Sequence, residues 1–126
     1  MKKFITALIL FAAILVFGCI HTWKITSLTD EITSLNTEIY AAVQQEDWQT
    51  AAAQLEKIQQ IWDKNRLWVS VTISTTEIEE LEISLKQSIE YAKLEDASGF
   101  TGEFTMFRLL LNHLPHHEGF DIEEIL

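Results

Sequence analysis

The chain has 126 residues, 19 acidic and nine basic, for a formal net charge of −10, and a single cysteine. One cysteine excludes an intramolecular disulfide framework, and the negative charge argues against nucleic acid and anionic headgroups as partners. No nucleophile motif, phosphate-binding loop or zinc-ligand pattern appears, so the chain is expected not to be an enzyme and to carry no cofactor.

The first element is an apolar run. Lys2-Lys3 precede seventeen uncharged residues, 4–20, of which eleven are Leu, Ile, Val or Phe. At about 1.5 Å per residue the run spans roughly 26 Å, the short end of a bilayer core. Its large apolar side chains favour insertion by roughly 3–7 kcal/mol. Trp23 is placed for the interfacial aromatic belt and Lys24 for a snorkelling end. Three outcomes compete. Retained, residues 1–24 form a signal anchor and single transmembrane helix. Cut after Val16-Phe17-Gly18, they are a secretory signal, although that pattern is a poor cleavage site. Lipidated at Cys19, they are the leader of a bacterial lipoprotein, for which Gly18 and Val16 suit the lipobox and Phe17 does not. The simplest role for Cys19 is a small apolar residue in a membrane helix. In every case Lys2 and Lys3 hold the start of the run in the cytoplasm, so residues 21–126 lie outside it, and with the anchor retained residues 25–126 form an extracytoplasmic domain at the cell membrane. All acidic residues and seven basic ones lie beyond Ile20, giving that part net −12. Most of this charge is expected to be solvated surface, with a basic partner or loosely held cations as its functional counterpart.

From Ile25 the apolar residues Ile25, Leu28, Ile32, Leu35, Ile39 and Ala42 alternate by three and four, an a/d seam that follows the apolar run directly. One continuous helix is therefore expected to leave the bilayer. Its seam either packs within its own domain or pairs two chains as a parallel homodimer. Glu46-Asp47 breaks this helix and Asp47 suits the cap of the next. Trp48, Ala52, Leu55, Ile58 and Trp62 form a second stripe, flanked by Ala51 and Ile61, and Asn65 is the expected stop.

The stretch Trp68-Val-Ser-Val-Thr-Ile-Ser-Thr alternates like a strand. Helical spacing nevertheless runs through Leu67, Val71, Ser74, Ile78, Leu81, Leu85, Ile89 and Ala92, and a lone strand would be unstable. A helix is therefore expected, starting between Arg66 and Thr76. Ser74 with Glu77, or Thr76 with Glu79, would supply a capping box. Residues 95–102, with Gly99 and Gly102, read as a turn. A last helix through Phe104, Phe107, Leu110, Leu111 and Leu114 is expected to end at Pro115. The tail with Phe120, Ile122, Ile125 and Leu126 is expected to dock back on the core. A shift of 49 residues lays Tyr40, Val43, Trp48, Ala52, Leu55, Ile58 and Trp62 on Ile89, Ala92, Ala97, Thr101, Phe104, Phe107 and Leu111, a loose match, and Glu46-Asp47 on Glu95-Asp96. The expected fold is all-α: an N-terminal transmembrane helix, then about four antiparallel helices packed as two hairpins, either tetratricopeptide-like or a small bundle.

Several of these residues together resemble a family of short, N-terminally anchored proteins of endospore-forming Gram-positive bacteria, known only as a domain of unknown function. The matching pieces are the apolar N-terminus, Glu46-Asp47-Trp48 with Ala51-Ala52, the pair Trp62 and Trp68, the 77–85 segment Glu-Ile-Glu-Glu-Leu-Glu-Ile-Ser-Leu, and Leu110-Leu-Asn-His-Leu-Pro115. Relatives often carry a histidine where this chain has Thr75-Thr76, which argues against a site there. The resemblance implies membrane location and a helical fold, and brings no activity.

Candidate chemistry is sparse. His113, His116 and His117, with Glu118, have the only spacing suited to a divalent metal. Histidines complementing a helix C-terminus explain them more simply, so no metal is expected. Glu77, Glu79, Glu80 and Glu82 crowd one stretch, but the helical pattern leaves them in water. Trp68 lies off the helical seams and is the best candidate for contact with a partner. The expected function is a membrane-tethered, non-catalytic helical module that binds another membrane or cell-surface protein. The alternatives are a lipoprotein, attached through Cys19, that binds a small ligand or cation, and a homodimeric membrane stalk or sensor.

Overall fold

The computed structural model describes residues 1–118, with side chains described to Leu114. Four helices follow in order: α1 (Lys2–Gln44), α2 (Trp48–Val69), α3 (Thr75–Lys93) and α4 (Ala97–Glu118). α1 packs on α2 and α4, and α3 packs on the same two, while across the diagonals no Cα atoms come within 8 Å among the described residues and α2 meets α4 through side chains, Trp48 edge-on to Phe100 at 6.1 Å. The helices therefore close an up-down-up-down ring, the small-bundle alternative. Tetratricopeptide stacking would instead set α1 against α3.

The anchor and the first bundle helix are one element. α1 is 43 residues long, about 65 Å at a helical rise of about 1.5 Å per residue. Every residue from 1 to 20 is exposed, whereas Ile25, Leu28, Ile32, Ile39 and Ala42 are buried and Leu35 is half-buried. The 25–42 seam is thus covered by the chain's own α2 and α4. Opposite it stand Leu55, Ile58 and Trp62 of α2, Ile78, Leu81 and Leu85 of α3, and Phe100, Phe104, Phe107 and Leu111 of α4. The α4 phenylalanines stack with centroids 5.0 and 5.9 Å apart, and Tyr40 of α1 leans on Phe104 at 5.3 Å. Such pairs contribute about 0.5–1.5 kcal/mol beyond their burial.

The 49-residue echo recurs in the backbone. Glu46 and Glu95 both take a left-handed conformation, φ 57° and 56°. After each, an aspartate N–H reaches back to the helix it follows, Asp47 to the Ala42 carbonyl at 2.8 Å and Asp96 to that of Tyr91 at 3.0 Å. Each is a Schellman closure. The same aspartates then cap the following helices: Asp47 Oδ1 accepts from the Thr50 N–H at 3.3 Å and Asp96 Oδ1 from the Gly99 N–H at 3.1 Å. Both halves thus use one acidic turn. Because a Cβ in this conformation costs roughly 1–2 kcal/mol that glycine avoids, Glu46→Gly and Glu95→Gly should each stabilise the bundle by about 1 kcal/mol. Urea unfolding midpoints measure this, and a loss at both sites would contradict the assignment of the turns.

Three boundaries differ from the sequence expectation, while α3 starts at Thr75, within the expected range. α2 runs through Asn65 to Val69 because Trp62 and Val69, both fully buried, lie on either side of it. Asn65 accommodates the helix by donating from Nδ2 to the Ile61 carbonyl at 2.8 Å. Leu67 and Val71 are exposed, so the third seam begins at Ile78; α3 takes the later start, with Ser74 Oγ accepting from the Glu77 N–H at 3.3 Å. Gly99 and Gly102 lie inside α4 rather than in a turn. Gly99 serves close approach: a Cβ there would stand 2.5 Å from the Tyr91 ring. α4 also continues past Pro115 to Glu118. The expected docking of the tail lies outside the described residues.

Candidate functional site

The chain gathers its most distinctive side chains where α1 leaves its apolar run. Phe17, His21 and Lys24, spaced by four and three, occupy successive turns of one helix face. α2 descends antiparallel to them and sets Trp68, in its last turn, against all three. The Trp68 ring stacks on His21 with centroids 5.0 Å apart and meets Phe17 at 5.8 Å, while Lys24 Nζ lies 4.6 Å over its face. A cation over an indole at a partly exposed site contributes about 0.5–1 kcal/mol.

His21 also holds the helix end. It is 2% exposed, and its Nε2 lies 3.1 Å from the Trp68 carbonyl oxygen. A carbonyl only accepts, so the imidazole donates from Nε2 and satisfies a carbonyl in the last turn of α2. The Val71 N–H donates to the same oxygen at 3.3 Å. Together these contacts clasp the end of α2 to α1 level with the last turn of the apolar run.

Trp68, the partner-contact candidate, is therefore half-buried against its own α1, with an indole Nε1 that is buried and has no hydrogen-bond partner. Cys19 carries an exposed free thiol two residues from Phe17. Trp23 projects away from the bundle, 70% exposed. His113 is exposed and shares a shallow hollow of about 170 Å³ with Glu77, Glu80, Leu110 and Leu114, between the start of α3 and the end of α4. The side chains of His116 and His117 lie outside the described residues. Among the described residues no three His, Cys, Asp or Glu side chains gather as a ligand set. Of the glutamate stretch, Glu82 accepts from Arg66 Nε at 2.8 Å across a groove of about 580 Å³ between α2 and α3, whose lining mixes both charges. Such a groove selects no ligand class.

His21 has a packing role that none of the candidates read from the sequence includes. Its signal was the four-residue spacing of His21 and Ile25, which carries the buried seam one turn back to the edge of the apolar run.

Comparison with known families places the fold in context. A family model described as a domain of unknown function, DUF4363, matches residues 19–125. No curated protein and no solved structure matches the chain. The matched region takes in His21, Lys24, Trp68 and the whole bundle, but only the last two residues of the apolar run. The chain belongs to the DUF4363 family.

Proposed function

We propose that this protein is a membrane-tethered, non-catalytic interaction module: α1 spans the membrane and its continuation is one stave of an extracytoplasmic helical bundle that binds another membrane or cell-surface protein. The observation that carries this is the continuity of α1, whose residues as far as Ile20 are uncharged apart from the two leading lysines and all exposed, while its continuation carries a buried seam. An apolar helix without protein cover needs lipid, and a rigid joint fixes the height and orientation of the bundle above it. Tethering raises the effective concentration near a membrane partner, and Lys2-Lys3 favour a cytoplasmic N-terminus. In-cell crosslinking from exposed bundle positions tests it. One reproducible membrane protein should be captured, and capture should fall when the bundle is released from the membrane. No adduct, or an adduct that survives release undiminished, would refute tethered binding.

A second reading is favoured by one observation: the family match begins at residue 19, where the exposed Cys19 thiol sits. Under it the protein is a lipoprotein whose acyl chains replace the span, and lipid labelling would depend on Cys19. The homodimeric stalk gains no such support, because its seam is already covered by α2 and α4.

A further inference from the structure

The base of the bundle differs in chemistry from its far end. The far turns carry Glu46, Asp47, Glu95 and Asp96. At the base, residues 1–29 of α1, 64–76 around the α2–α3 connection, and 104–117 of the returning α4 contain no acid at all, although the chain holds 19. Acids resume at Glu77 in the first turn of α3. Around the α2–α3 connection two large apolar side chains, Leu67 of the last turn of α2 and Val71, are exposed among the hydroxyls of Ser70, Thr72 and Ser74. Leu67 is 82% and Val71 58% exposed, while Val69 and Ile73 turn inward and are 0% and 4% exposed.

The height of this connection is fixed by the aromatic clasp. Trp68 touches Phe17, inside the apolar run, and α2 travels towards that run as it ends. Val71 therefore lies at least as deep as Trp68 along α1. A membrane around residues 4–20 would meet this connection at its interface, where tryptophan rings and lysine stems are favoured.

We infer that the α2–α3 connection is a second membrane contact, with Leu67 and Val71 seated in the lipid interface of the bilayer that α1 spans. The bundle then rests on the membrane at two points rather than standing off on one helix. No acid lies within residues 64–76, so the contacting segment itself carries none of the net negative charge, whose nearest members along the chain are Asp63 and Glu77. The inference rests on the membrane reading of α1, and its test separates the two.

The full chain in a Cys19→Ser background, with a single cysteine introduced by Phe11→Cys, Leu67→Cys, Val71→Cys or Lys57→Cys, is labelled with an environment-sensitive fluorophore. Each labelled protein is reconstituted in phosphatidylcholine vesicles containing lipids spin-labelled near the headgroup or deep in the acyl chain. All four positions are exposed, so labelling removes no core contact. Deep lipid labels should quench position 11. Shallow labels should quench positions 67 and 71 severalfold more than position 57, on the bundle flank. If position 11 is quenched while 67 and 71 behave like 57, the second contact is wrong and the anchor stands; a connection covered by another protein gives this same result. If position 11 is not quenched, the membrane reading fails and this inference with it.

Discussion

Replacing Trp62 with alanine is expected to cost about 3–5 kcal/mol, a large share of the roughly 5–15 kcal/mol that holds a small domain folded. Trp62 heads the largest fully buried side chains and stands on α2, whose partners in the ring are α1 and α3. Its removal opens a void that helices fixed by short turns cannot collapse to fill. The indole Nε1 has no hydrogen-bond partner, so part of the gain from burial is already offset. Trp62→Phe, which removes that orphan donor while keeping a ring, should therefore cost clearly less than Trp62→Ala. Leu67→Ala, at an exposed position, should change stability by no more than about 0.5 kcal/mol. Urea unfolding followed by far-UV circular dichroism ranks the three. Equal effects of Trp62→Ala and Leu67→Ala would contradict the packed ring.

The second large effect concerns the apolar run. Leu10→Arg with Ile14→Arg introduces two charges near its centre, each costing about 2.5–3.5 kcal/mol, and removes two favourable residues. The total, roughly 6–8 kcal/mol, matches or exceeds the roughly 3–7 kcal/mol that drives insertion. The double variant should leave the membrane fraction on alkaline extraction, with bundle stability unchanged because both positions are exposed. Retention in the membrane would mean that something other than the span, a lipid on Cys19 foremost, holds the protein. Cys19→Ser in the same background would then release it.

Periodicity made the helices and their inward faces readable. The spacing from Ile25 to Ala42 and from Trp48 to Trp62 marks stripes wide enough to bury, and Asp47 and Ser74 are caps whose side chains match their positions. What periodicity leaves open is which stripe meets which. The ring rather than stacked hairpins depends on α4 reaching α1, which leaves no one-dimensional trace. Breaker residues misled for a related reason. Asn65 and Gly99 each disfavour a helix locally by no more than about 1 kcal/mol, and burial of their neighbours, Trp62 and Val69 beside one and Phe100 beside the other, exceeds that cost; at Pro115 the helix simply continues. Gly99 illustrates it, since glycine signals either a turn or a close approach and only the Tyr91 ring across from it distinguishes the two.

The candidate site was half legible. Trp68 stood out because it left the helical seams, and that irregularity is where α2 ends against α1. Its partners were hidden by the apolar run itself: Phe17 and His21 fit a membrane helix equally well, and their contact spans 47 residues of chain between His21 and Trp68. The acid-free base was legible from charge order alone once the turns were placed.

The central claim is that the apolar run is kept and continues as the first stave of the bundle. Intact mass spectrometry of the protein extracted from cell membranes tests it most directly. A retained anchor predicts the mass of the unprocessed chain, 14.5 kDa, with residues 4–20 present and Cys19 unmodified. A species beginning at Cys19 and carrying acyl chains, or one cut after Gly18 and found outside the membrane, would contradict it.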